Sequence, residues 1–171
     1  MQLIRCTAKL LKEIGLKPAQ LQQREPTFSF LGQWHANLIY INRRKSLIFV
    51  NDRTLMNFVI PDTTRARIRE LPDLFLSTFA CVLSAEDVPG DTQAKVLAEY
   101  EEIGIAKSSS RSVLGSANDI ALHYKYSIEE AGGVHSWRIP EIIHDLNRMP
   151  MQAINFKFPI VEFRHLYDIS V

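Results

Sequence analysis

Two cysteines, Cys6 and Cys81, are all that the chain offers for cross-linking, so a disulfide-stapled scaffold is excluded and no bridge follows from the sequence alone. No apolar run comes near the roughly eighteen residues of a membrane span, and the opening MQLIRC carries no apolar signal stretch. A soluble protein of a reducing cytoplasm, without a membrane partner, is therefore the expectation. Catalytic signatures are missing too. There is no G-x-x-x-x-G-K-[ST] loop, no H-E-x-x-H and no second Cys/His cluster, so neither a metal nor another cofactor is expected. Repeats, low-complexity runs and linkers are also lacking. With 171 residues, 46% of them apolar, the chain can fill one core, and one globular domain over residues 1–171 is the expectation.

What the chain does have is an uneven charge. The net charge is only +1, but residues 1–70 hold twelve Lys and Arg against five Asp and Glu, hence +7, which leaves −6 for residues 71–171. Arg43, Arg44 and Lys45 stand together, Arg53 follows, and Arg65, Arg67 and Arg69 alternate. Such clusters can neutralise phosphates or an acidic partner surface, or can pair with the acidic half inside one fold. The Arg43 to Lys45 group reads as a hairpin tip, which favours a partner. The Arg65 to Arg69 group reads as internal pairing.

Local patterns give the organisation. Residues 2–6 alternate as a strand, and Thr7 opens a helix that Gly15 closes. Pro18 starts a short turn of helix. Two turn signals, at 42–45 and 51–53, divide a meander of three antiparallel strands over 34–41, 46–50 and 54–60. Leu71-Pro72 starts an apolar helix to Ala85, and Asp91 caps another to Glu102. Residues 103–107 form a strand, a long helix follows to Gly132-Gly133, Pro140 opens a short helix, residues 151–157 form a last strand, and Pro159 opens a terminal helix. This order implies an α+β fold, a mostly antiparallel sheet with a three-stranded meander, covered by helices.

The long helix carries the first candidate site. With Arg111 set at zero and about 100° per residue, Val113, Leu114, Ala117, Ile120, Ala121, Tyr124 and Ile128 share a core arc. Ser112, Ser116, Asp119, His123, Tyr126 and Ser127 occupy the opposite arc, without one long charged side chain. Short polar residues weaken a helix, so this face is expected to receive a ligand or a neighbouring segment. Gly115 and Leu122 suggest a second packed contact beside it. At the helix start, Ser108, Ser109 and Ser110 offer cap hydroxyls, and the first-turn amides carry partial positive charge. Lys107, Ser109, Ser110, Arg111, Ser112 and Ser116 are thus candidate ligands for a phosphate. The alternative is that Ser110 only caps and Arg111 pairs with a carboxylate such as Glu102. Asp119 and His123, four apart, form either a pair that orients an imidazole for proton transfer or an ordinary helix pair.

A second constellation, Trp34-His35-Ala36-Asn37, opens the meander. Alternation puts Trp34 and Ala36 on one face and His35 and Asn37 on the other. His35 is a candidate base or a satisfied structural histidine; Asn37 is a candidate ligand. Trp34 and Tyr40, beside the basic turn with Arg43 and Arg44, are candidate platforms for stacking bases.

Four strings, L-G-x-W-H-A-N-L from Leu31, N-R-R-K…F-V-N-D from Asn42, S-R-S-V-L-G-S-x-N-D from Ser110 and N-R-M-P-M from Asn147, resemble an uncharacterised bacterial family defined only as a domain of unknown function. The likeness spans nearly the whole chain and implies a standalone bacterial domain. It brings no activity, cofactor or catalytic residue with it. The sequence therefore leads to a binding module for a phosphate-bearing small molecule or nucleic acid at the start of the long helix. Two alternatives stand beside it: a metal-independent nuclease or hydrolase using His and Arg, with His35 or His123 as base, and a protein-interaction or regulatory domain without catalysis. Oligomeric state and turnover are left open.

Overall fold

The computed structural model describes residues 1–108 and 111–170, without the side chains of residues 111–113. Its frame is a five-stranded sheet ordered β4-β3-β2-β1-β5, made of β1 (Gln2–Cys6), β2 (Trp34–Ile41), β3 (Arg44–Asn51), β4 (Asn57–Ile60) and β5 (Ile103–Lys107). The meander β2–β3–β4 is antiparallel, and β1 lies parallel to both β2 and β5. The α+β class and the mostly antiparallel sheet thus hold, and the parallel edge is an addition that no local pattern announced. Asn42 and Arg43, at φ of 47° and 64°, turn the β2–β3 hairpin with the left-handed backbone that matches strand twist.

Helices cover both faces. On one side α1 (Ala8–Ile14), α2 (Arg65–Arg69), α3 (Leu71–Ala85), α4 (Gly90–Ala98) and α7 (Pro159–Leu166) bury Ile4, Trp34, Ala36, Leu47, Phe49 and Phe58. On the other, α5 (Arg111–Glu130) and α6 (Ile139–Leu146) bury Ile41, Ile48, Val50 and Val59. Strand alternation produces this division, since residues 34, 36 and 38 face one layer and 35, 37, 39 and 41 the other. Among the described residues no helix is long and apolar enough to cross a membrane.

Buried side-chain amides fasten the layers. Asn51 accepts from the Thr54 amide and hydroxyl at the β3–β4 turn, and donates to the carbonyls of Leu31 and Gln33. Asn147, just after α6, exchanges two hydrogen bonds with the backbone of Asn57, at 2.9 and 2.7 Å, and the Tyr124 hydroxyl of α5 donates to the Asn57 side chain at 2.7 Å. The Asn51 and Asn147 amides thereby satisfy backbone groups that burial would otherwise strand.

Three expected elements differ. Residues 151–157 are not a strand: a 3₁₀ turn, Gln152–Ile154, is closed by one bridge between Met151 and Lys157, with Asn155 and Phe156 left-handed at φ of 56° and 59°. β4 begins only at Asn57, because Leu55 at φ 58° belongs to the turn. Asp91 does not cap α4; Pro89 precedes its first residue, and Asp91 lies in the first turn.

The basic clusters largely pair inside the fold. Arg44 approaches Asp62 at 3.7 Å, Lys45 donates to Glu13, and Arg65 reaches Glu13 at 3.9 Å. Arg43 and Arg44 remain exposed at the hairpin tip, Arg44 with Asp62 beside it, while Lys45 is drawn back onto Glu13. The Lys45 hydrogen bond, then the charges of Lys45, Arg65 and Arg69, hold the Glu13 carboxyl below the usual carboxylate range against the opposing effect of burial. A depressed folded-state pKa stabilises above the unfolded value and loses that contribution as pH falls through the folded one. Urea titrations of wild type and Glu13→Gln should accordingly differ most near neutrality and converge in the acid range below about pH 4, the ordinary glutamate value.

Candidate functional site

The crevice begins with the path of the chain. β1 and β5 are neighbouring parallel strands, and the helices that follow them leave in opposite directions: α1 packs with the layer on Trp34, α5 with the layer on Val50. In open α/β sheets such divergence marks the crevice at the carboxyl ends of the two strands as the place where ligands bind. Here it is bordered by Cys6 and Thr7 on one side and Lys107 and Ser108 on the other, tied by the Ser108 amide donating to the Cys6 carbonyl at 3.0 Å.

His35 lies beside this crevice. β2 places it on the α5 side of the sheet, in register with Arg5 of β1 and Val50 of β3. It is only 3% exposed, and its Nδ1 stands 3.1 Å from the Ser108 hydroxyl oxygen. Its Nε2 points towards Asp52, 3.5 Å from Oδ1, and makes no hydrogen bond among the described residues. The three side chains therefore form a line, hydroxyl, imidazole, carboxylate, in which Ser108 is half-buried and Asp52 is 36% exposed. Tautomer logic follows from the carboxylate. A proton on Nε2 faces Asp52, which leaves Nδ1 as an acceptor for the Ser108 hydroxyl proton.

Other side chains frame the line. Arg5 donates to the Gln33 side chain and, at 3.5 Å, to the Lys107 carbonyl, while its far nitrogen is 3.9 Å from Glu25. Asn37 accepts from the Thr7 hydroxyl at 3.1 Å, and that bond occupies the hydroxyl expected to cap α1. Lys107 is exposed. Burial drives the Cys6 thiol far above its ordinary pKa, so the sulfur next to the crevice stays protonated and unreactive.

The expected site residues thus separate into groups. His35, Asn37 and Lys107 come together with Ser108 around the β1–β5 crevice. Ser109 and Ser110, expected as phosphate ligands, lie outside the described residues, and so do the side chains of Arg111 and Ser112. Ser116 is half-buried one turn further along, while Asp119 and His123 are exposed, and no ion pair joins them among the described residues. Twelve helical residues separate His123 from Arg111, about 18 Å of rise, so the two cannot serve one reacting atom. Gly115 and Leu122 are exposed and make no second packed contact among the described residues, which corrects that expectation. Trp34 is fully buried and presents no face to a base, and Lys9 stands 4.6 Å over the ring of Tyr40. Arg43 and Arg44 sit at the hairpin end of β2 and β3, six and more residues beyond His35 along the strand. Two participants went unseen as such in the sequence: Asp52, read only as part of a turn motif, and Ser108, read only as a cap.

A family model described as "Domain of unknown function (DUF6933)" matches residues 3–162. The chain belongs to this family. The match runs from β1 into α7, so His35, Asp52, Lys107 and Ser108 all fall inside the family domain. Comparisons with curated proteins and with solved structures give no match.

Proposed function

We propose that the chain is a binding module for a phosphate-bearing ligand, nucleic acid included, seated where β1 and β5 deliver α1 and α5 to opposite faces of the sheet. The observation that carries this reading is His35, buried at the side of that crevice with its Nδ1 at 3.1 Å from the hydroxyl oxygen of the half-buried Ser108, next to the exposed Lys107. The first amides of α5 lack intrahelical acceptors and bring the positive end of a 20-residue helix to the crevice. Lys107 adds an exposed cation. Asp52 stands on the far side of the imidazole from Ser108, so its charge is set back from the opening. The free thiols of Cys6 and Cys81 fit a reducing cytoplasm as the place of action.

Inorganic phosphate is the first probe, followed by ¹⁵N NMR. Saturable shifts of the Lys107, Ser108 and Asn37 amides are expected, and Lys107→Ala should weaken binding about tenfold, equivalent to ~1.4 kcal/mol. For a short single-stranded oligonucleotide, affinity must also fall steeply with salt. Phosphate shifts scattered over surface arginines without saturation would overturn the reading.

A further inference from the structure

We infer that Ser108 is an acyl-transfer nucleophile, with His35 as its base and Asp52 as the group that orients and stabilises the imidazole, acting on a carboxylic ester. That the ester carries a phosphate held in the crevice rests on the binding reading above; the nucleophile itself rests on the Ser108–His35–Asp52 line alone. Three observations make that line more than a capped helix. The hydroxyl and imidazole are already at hydrogen-bond distance, 3.1 Å. The imidazole is faced from behind by a carboxylate at 3.5 Å, and burial between β1 and β3 fixes its ring. Ser108 itself follows the end of β5 directly, half-buried rather than sealed. A nucleophile, a base and an orienting acid set in line are recognised by geometry and not by sequence order, and here the acid stands just beyond hydrogen-bonding contact with the ring. Here the ring is used with Nδ1 towards the hydroxyl.

The steps balance without a further reactant except water. As the Ser108 oxygen attacks the acyl carbon, a C–O bond forms and the hydroxyl proton moves to His35 Nδ1, giving an imidazolium that Asp52 stabilises. Collapse of the tetrahedral intermediate breaks the bond to the alcohol part of the ester, which leaves with the proton from Nδ1. Water then attacks the acyl-serine, gives its proton to Nδ1, and the bond to the Ser108 oxygen breaks as that oxygen takes the proton back. The sum is ester plus water to acid plus alcohol. A single imidazole on the nucleophile's side suits this order, because the tetrahedral intermediate keeps the leaving oxygen near the same nitrogen. Displacement at phosphorus proceeds in line and expels its leaving oxygen opposite the nucleophile, away from Nδ1, so the phosphate is the handle and not the reacting centre.

An alkyl fluorophosphonate tests the nucleophile directly: the Ser108 oxygen bonds to phosphorus, fluoride leaves, and the proton passes through His35 to solvent. Intact mass should show one adduct, and peptide mapping should place it on Ser108. Ser108→Ala abolishes it, His35→Gln slows it about 100-fold, the lower end of general-base catalysis, and Ser84→Ala on α3 leaves it unchanged. Because His35 is buried, Asp52→Asn provides the second variant: being half-exposed it should fold as wild type by melting curve and still slow labelling about tenfold. A folded protein without an adduct at Ser108, or with equal labelling rates in wild type and both variants, overturns the inference. Inorganic phosphate separates the two readings. Labelling that phosphate leaves untouched removes the phosphate handle and keeps the nucleophile, whereas saturable phosphate binding without labelling does the reverse.

Discussion

Trp34→Ala should destabilise the fold by about 3–5 kcal/mol, the range for deleting a fully buried aromatic, and should do so with an unchanged dependence on denaturant. The indole is at the middle of a ring cluster, with centroids 5.4 Å from Phe58, 5.3 Å from Phe75 and 5.0 Å from Phe79, mostly edge-on. It is also one link of a chain of polar contacts. Trp34 Nε1 donates to the Tyr100 hydroxyl at 2.9 Å, and that hydroxyl donates to the Gly32 carbonyl at 2.6 Å. Burial pushes the Tyr100 phenol well above its ordinary pKa, against the effect of the indole N–H, so this hydroxyl stays protonated and needs its acceptor. Trp34→Phe separates the two contributions. It keeps most of the ring contact and removes only the donor, so about 1–2 kcal/mol is expected, within the range for one unsatisfied buried partner. Urea denaturation of the three proteins gives the comparison; a cost for Trp34→Ala under about 1 kcal/mol would mean that the aromatic layer does not organise this face.

The same residue shows how far the sequence could be read. Alternation correctly sets Trp34 and Ala36 against His35 and Asn37, and the caps and prolines place β1, α3 and β5 at their observed bounds, because those signals are local. Whether the Trp34 side is a stacking platform or a core depends on α3 and α4 arriving over it, some forty residues or more further along, and no local signal carries that. The candidate site has the same difficulty in stronger form. Ser108 meets His35 across 73 residues, through two parallel pairings that only the assembled sheet defines. Parallel strands have no connecting turn whose residues could announce them. The polar arc of α5 is legible as composition, and Asp119, His123 and Tyr126 do face outward, whereas the approach of Ser108 to His35, before the first turn and on the strand side, has no such signal. Residues 151–157 fail for another reason, since their apolar alternation also suits a turn that buries Met151 alone and leaves Gln152 and Phe156 outside.

Arg148→Met should cost about 3 kcal/mol, and more than Glu86→Gln, although the two remove opposite ends of one ion pair. The reason is unequal burial. Glu86, just after α3, has a side chain only 2% exposed, gripped by Arg148 through two hydrogen bonds of 3.1 and 2.7 Å and approached by His144 at 3.4 Å. Arg148 is 37% exposed and can return its guanidinium to water once the carboxylate is gone. Glu86 has no such route, since its side chain is almost wholly out of solvent and its own backbone carbonyl is held by Arg164 at 2.7 Å. Removing the arginine therefore leaves a buried carboxylate with one half-exposed histidine for company; neutralising the glutamate leaves a wet cation, and about 1 kcal/mol of lost hydrogen bonding. The double variant Glu86→Leu with Arg148→Met should recover most of the loss, because a buried ion pair replaced by apolar side chains of similar size is often neutral in stability. Equal costs for the two single variants, measured by urea denaturation at neutral pH, would show that Glu86 reaches solvent after all and that the pair behaves as an ordinary surface contact worth under about 1 kcal/mol.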